Sequence, residues 1–163
     1  MSTTAIEMRG GCTCGAVRYR LAEPPMFVNC CHCSWCQRET GSAFAINAII
    51  ETDQLEVTGA VEFVALPSAS GKGQEVGRCP ACKVAVYSHY AGARRSVAFV
   101  RVGTLENPGA LSPDIHIFTA TKLPWLVLDG RVPVVAEYYD RKQHWPQDSL
   151  ARFAALRARQ QNT

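Results

Sequence analysis

Polar and apolar positions alternate along this chain in short runs. Between residues 16 and 21, Val17, Tyr19 and Leu21 fall on one side and Arg18 and Arg20 on the other. That is the two-residue period of a half-buried strand. Further β-branched or aromatic runs occupy residues 44–50, 61–66, 84–90, 97–102 and 115–119. Turn formers separate them: Thr58-Gly59, residues 70–73, Asn107-Pro108-Gly109 and Asp129-Gly130. Many short strands joined this way predict a mainly β protein of mostly antiparallel sheets. A helical period surfaces only near the end. After Pro146, Asp148 or Ser149 is placed to cap a helix over about 148–159, with Leu150, Phe153 and Leu156 along one face. This helix is expected to dock on the sheet, with Tyr138, Tyr139 and Trp145 beneath it and Trp125 in the core. Residues 68–74 hold Gly71-Lys72-Gly73 without the spacing of a phosphate loop, so they read as the tip between two strands.

Length and composition narrow the class. The 163 residues amount to one domain, here expected over 1–163. Apolar residues at 47% and charged residues at 19% exclude a disordered chain. No apolar run approaches the roughly 18–20 residues of a membrane span. The first residues lack a basic end followed by an apolar stretch, so the expectation is a cytoplasmic protein in a reducing compartment. A net charge of +3 without a basic run argues against a nucleic-acid partner. Nothing in the composition sets the oligomeric state.

The eight cysteines change the picture. In a reducing compartment structural disulfides are disfavoured, and metal binding or catalysis becomes the better reading. The cysteines fall as Cys12-x-Cys14, Cys31-x-Cys33-x-x-Cys36 and Cys79-x-x-Cys82, with Cys30 left over. Tetrahedral zinc takes four thiolates in a closed structural site and three protein ligands in an open catalytic one. Counting gives a closed site from Cys12, Cys14, Cys79 and Cys82, and an open one from Cys31, Cys33 and Cys36. A single metal with redox-active middle thiols, an iron–sulfur cluster and disulfides are the alternatives. Seven ligating thiolates and two divalent ions would bring the formal charge of +3 to near zero. Cys30 is expected to be a small buried hydrophobe or a fourth ligand to the middle site. His32 is expected to point away from the metal, and His116 to be a core histidine or a pocket residue.

The run Gly11-Cys12-Thr13-Cys14-Gly15-Ala16-Val17-Arg18-Tyr19 is followed by Cys31-His32-Cys33-Ser34-Trp35-Cys36-Gln37-Arg38-Glu39-Thr40-Gly41-Ser42-Ala43-Phe44. Then come Arg78-Cys79-Pro80-Ala81-Cys82, His116-Ile117-Phe118 and Leu123-Pro124-Trp125. Over about residues 10–140 this resembles the glutathione-dependent formaldehyde-activating enzyme family, which includes the centromere protein V group. The resemblance implies a β-tent fold of packed antiparallel sheets with two zinc sites. It implies structural zinc on Cys12, Cys14, Cys79 and Cys82, and active-site zinc on the catalytic Cys31, Cys33 and Cys36. It also implies glutathione and a small carbonyl as partners. The reaction would form or cleave S-(hydroxymethyl)glutathione, which is carbon–sulfur lyase chemistry. Arg38, Ser42 and His116 are candidates to contact the substrate, Arg38 through a glutathione carboxylate. Lys83 stands where the family usually has Gly, Gln37 where a basic residue is common, and Thr13 where His is common. A non-catalytic, zinc-stabilised binding or scaffold protein is the competing reading, and a thiol redox protein is the third.

Overall fold

A computed structural model describes residues 8–161. Over these the strands are β1 (Met8–Gly11), β2 (Arg18–Leu21), β3 (Phe27–Cys31), β4 (Ala45–Glu51), β5 (Leu55–Thr58), β6 (Glu62–Leu66), β7 (Gln74–Arg78), β8 (Ala85–Tyr90), β9 (Val97–Arg101) and β10 (Ile115–Ile117). The helices are α1 (Ser34–Thr40), α2 (Arg141–His144) and α3 (Gln147–Gln161). Strands β1, β2 and β5 form a small antiparallel sheet in the order β1-β2-β5. The other seven form a sheet in the order β10-β3-β4-β9-β8-β7-β6. Its pairs are antiparallel except β10 with β3, which run parallel. The expectation of mostly antiparallel sheets holds, with the one parallel pair at that edge. A long crossover from β9 brings β10 back alongside β3, and only a crossover connection permits a parallel pair.

The large sheet is covered on both faces, and alternation sorts its side chains between two cores. Val28, Ala48, Ile50, Ala98 and Val100 meet Tyr19, Leu21 and Leu55 of the small sheet and Val17 just before β2. Phe27, Cys31, Ala45, Ile49 and Val97 point the other way, into a core closed by Tyr139, Trp145 and Leu156. Fully buried residues such as Ile50 each stabilise the fold by roughly 1.5–3 kcal/mol relative to exposure. Residues 68–73 are the tip of the β6–β7 hairpin, as the sequence predicts.

The C-terminal helix docks on the second core. Trp145 stacks on Phe27 with ring centroids 5.6 Å apart and meets Phe153 edge-on at 5.6 Å. The Trp145 indole N–H donates to the Tyr139 hydroxyl (2.9 Å), which donates to Asn29 on β3 (2.9 Å). Arg152 clamps the buried Glu51 carboxylate with two hydrogen bonds of 2.9 and 2.6 Å. Two local expectations are corrected. The helix begins at Gln147, and the Leu150 N–H donates to the Pro146 carbonyl (3.0 Å), so Asp148 and Ser149 lie inside the first turn. Ser149 serves as an anchor instead, its hydroxyl donating to the Met26 carbonyl at 2.6 Å. Trp125 is 70% exposed rather than in the core, because the segment that carries it crosses the surface without strand pairing. Among the described residues no helix is long and apolar enough to cross a membrane.

Candidate metal centres

Cys12 and Cys14 sit in the tight connection from β1 to β2. The Cys12 N–H donates to the Val17 carbonyl (3.0 Å), and its sulfur accepts from the Val17 N–H (3.2 Å). A matching knuckle follows β7. There the Cys79 N–H donates to the Val84 carbonyl (3.0 Å), and the Lys83 N–H donates to the Cys79 carbonyl (2.9 Å). The two knuckles face each other, and their four sulfurs all lie within 4.8 Å of one another. Cys14 is 3.6 Å from Cys12 and 3.6 Å from Cys79, sulfur to sulfur. Two metal–sulfur bonds of about 2.3 Å at the tetrahedral angle would set sulfurs ~3.8 Å apart. The donor set and its spacing therefore fit one tetrahedral ion. Backbone N–H donation, led by Cys14, draws the Cys82 thiol down to about 6, which favours the thiolate a metal needs.

The second group lies where β3 turns into α1. Cys31 ends the strand and Cys33 caps the helix, its sulfur accepting from the Cys36 N–H at 3.3 Å. Cys36 occupies the first turn, and Gly41 (φ 64) ends the helix in the left-handed conformation. All three sulfurs lie within 4.8 Å of one another, on residues only 5, 6 and 3% exposed. Hydrogen bonds from Cys31 and then Cys36 pull Cys33 down to about 2, while the same contacts and burial push Cys31 far up. Hydrogen bonding with Cys31 and, more weakly, the Arg101 charge draw Cys36 down. Cys33 and burial oppose them and leave it at about 12. Of the three, Cys33 alone is drawn to the thiolate, and its neighbours resist further charge at one buried point, a crowding that a bound cation would relieve.

Strand alternation turns Cys30 to the opposite side of β3. It groups with His32 and His116, not with the trio. The Cys30 sulfur is 3.5 Å from His32 Nε2, which is 3.0 Å from His116 Nδ1. Burial drives the His32 imidazole down to about 4, with the neighbouring His116 adding to it. Burial also lowers His116, so both rings are neutral at pH 7. Gln37 braces this corner, donating to the carbonyls of His32 (2.8 Å) and Thr121 (2.9 Å). His32 points away from the trio as expected, but into the fully buried interior.

A cleft of about 440 Å³ adjoins the residues that support the trio: Ala45, which pairs with Cys31, and Thr40, whose hydroxyl donates to the Cys36 carbonyl, line it, whereas the three cysteines do not. Its walls include Glu39 and Phe44 from α1 and its exit, Arg78 and Lys83 from the second knuckle, and Arg101 and Thr104 from the end of β9. Arg78 pairs with Glu39 and also donates to the Lys83 carbonyl (3.0 Å). Lys83 pairs with Glu62 at 2.9 Å and adopts φ 63, a conformation that favours glycine. The three residues singled out from sequence for substrate contact lie outside this lining. Arg38 is exposed over Trp35 (6.0 Å), Ser42 is exposed, and His116 joins His32. Sequence reasoning passed over Arg78 and Arg101. The signal for Arg101 was a lone charge closing an apolar strand.

A two-sheet β protein with a four-cysteine and a three-cysteine metal-site candidate is the class that this fold and these centres define. The profile of the glutathione-dependent formaldehyde-activating enzyme family matches residues 7–121. The chain belongs to that family. A Halomonas elongata protein, provisionally named a glutathione-dependent formaldehyde-activating enzyme, is 44% identical over 55 residues. That match spans 32% of this chain and 35% of the curated relative's length. A Rhodobacter sphaeroides protein of known crystal structure, a structural-genomics target, aligns over 78% of this chain and 100% of its own. Its TM-score is 0.46 at 21% identity.

Proposed function

We propose that the chain is a zinc-dependent carbon–sulfur lyase or synthase acting on a glutathione adduct, with zinc at both cysteine centres. The observation that carries this reading is the buried trio of Cys31, Cys33 and Cys36, within 4.8 Å of one another, with Cys30 turned away and a cleft lined by the neighbouring Thr40 and Ala45. Three protein ligands leave a tetrahedral position for an outside group. Zinc bound there would supply a place where an incoming thiol is kept deprotonated, against an ordinary thiol pKa near 8.5. The chain's own residues do the rest. Cys31, Cys33 and Cys36 fix the site on a strand end and a helix cap, and their burial excludes bulk water. Cys12, Cys14, Cys79 and Cys82 hold the two knuckles together, and with them the cleft wall carrying Arg78 and Lys83.

In the reaction the glutathione sulfur attacks formaldehyde carbon. An S–C bond forms, the C=O π bond breaks, and the oxygen takes up a proton. The reverse step is the lyase direction. Fixing the thiolate beside so small an electrophile works mainly through proximity. Exchange NMR of glutathione with formaldehyde tests the reading. Zinc-loaded protein accelerates formation of the adduct, and Cys36→Ala does not. No acceleration by the wild type, with two zinc ions bound, would leave a zinc-stabilised scaffold.

A further inference from the structure

One cation of the cleft has no carboxylate partner. Arg101 is 6% exposed, and its Nη1 donates to the neutral side chain of Asn47 on the neighbouring strand. Its Nε and Nη2 are buried without a hydrogen-bond partner among the described residues. Buried guanidinium groups are ordinarily paired, because an unmade charged hydrogen bond carries the full desolvation cost. The other two cations of the cleft are spoken for, Arg78 by Glu39 and Lys83 by Glu62. Arg101 is therefore the cleft cation without a carboxylate partner. The same strand face carries it toward the trio, since Asn47 and Ala45 share a side of β4, and Ala45 pairs with Cys31.

We propose that Arg101 is the specificity-determining residue of the cleft, its buried and unpartnered Nε–Nη2 edge turning to meet the carboxylate of an anionic thiol whose sulfur enters the cysteine trio. The inference rests on the function proposed above and adds the feature that selects the substrate. An Arg edge with two N–H groups matches a carboxylate in bidentate fashion. A cleft of about 440 Å³ is in the range of small-molecule sites. Glutathione, with two carboxylates, meets the chemistry, and a neutral thiol does not. Lys83 sits at the rim in a strained backbone conformation, and its ammonium is in an exposed pair that an incoming anion can exchange.

Calorimetry on the zinc-loaded protein tests this with three probes: glutathione, S-methylglutathione, which keeps the carboxylates and lacks the thiol, and 2-mercaptoethanol, which keeps only the thiol. Arg101→Gln is expected to weaken glutathione and S-methylglutathione by about tenfold or more while leaving 2-mercaptoethanol within about twofold. Arg101→Lys, which keeps the charge and loses the fork, is expected to fall between, and it serves if the glutamine variant does not fold. Unchanged S-methylglutathione binding in both variants would overturn the proposal. So would an equal loss for all three probes, which would make Arg101 a counter-charge to the cysteines, and so would a wild type that binds none of them. If the wild type binds glutathione no better than S-methylglutathione, capture of the thiol fails while carboxylate selection by Arg101 stands.

Discussion

Removing the four-cysteine clip should cost far more stability than removing the trio, and the reason is chain topology. Cys14 and Cys79 are 65 positions apart. A cross-link closing a loop of that length restricts the unfolded chain by about 4 kcal/mol. Cys31 and Cys36 are neighbours in sequence, and the same reasoning gives only about 2 kcal/mol for their short loop. The matched variants are Cys12→Ala with Cys14→Ala, and Cys33→Ala with Cys36→Ala. Each deletes two sulfurs and one backbone N–H to sulfur contact, Val17 to Cys12 at 3.2 Å or Cys36 to Cys33 at 3.3 Å. The remaining local losses narrow the gap, since Cys14 is exposed whereas Cys33 and Cys36 are buried and Cys33 caps α1. The expected gap is at most about 2 kcal/mol, or roughly 4–8 °C in Tm for a chain of this size. Urea and thermal melts followed by circular dichroism read the gap, with one zinc ion per chain confirmed in each variant. Equal losses, or a larger loss from the trio, would refute the assignment of the clip as the structural centre.

Cys36→Ala alone is expected to fold, keep one zinc ion and lose glutathione binding, as metal analysis and calorimetry would report. Arg152→Ala strands the Glu51 carboxylate, which is 5% exposed, so denaturation should show a loss of about 3 kcal/mol. Arg159→Ala, which removes an exposed pair with Asp53, should cost less than about 1 kcal/mol. His89 is buried with its Nδ1–H donating to the Val97 carbonyl (2.8 Å), and burial holds its pKa below the ordinary 6.5. Glu75 and Arg95 are the charged groups that act on it, and the aromatic rings of Phe63 and Tyr87 pack against it. Well above pH 6.5 both folded and unfolded states carry it neutral. As pH falls below that value, the unfolded chain takes a proton that folded His89 resists, and stability drops. Melts of His89→Gln against the wild type from pH 7.5 to 5 should show a flatter profile for the variant. A parallel decline would refute the assignment.

Much of this was legible in the residues. The alternation at Val17, Tyr19 and Leu21 placed β2 because one face of that strand is wet and the other dry. β3 escaped notice because Phe27–Cys31 is buried at every position, which erases the two-residue period. Strands β1, β5 and β7 were also passed over. In β1 the Gly10-Gly11 pair carries no side chain to show a pattern, and β5 is only four residues long. Helix α1 has seven residues capped by a cysteine, too short for a helical period to register. The cysteine groups could be paired from ligand counting, since the two-residue spacings already bring sulfurs onto one side of a tight turn. The cleft could not be read this way. It joins the end of α1 to a knuckle about 40 positions later and to the last residue of β9, a juxtaposition that only the strand order creates.

The cobalt-substituted protein gives the most direct test of the central claim, that three cysteines hold an ion with a position open to an outside thiolate. In a variant lacking Cys12 and Cys14, the trio is the all-cysteine centre left intact among the described residues. Glutathione should then increase the sulfur-to-cobalt charge-transfer absorption by about the share of one further thiolate, while S-methylglutathione leaves it unchanged. A spectrum that glutathione does not alter, or one already showing four sulfurs before it is added, would contradict the account.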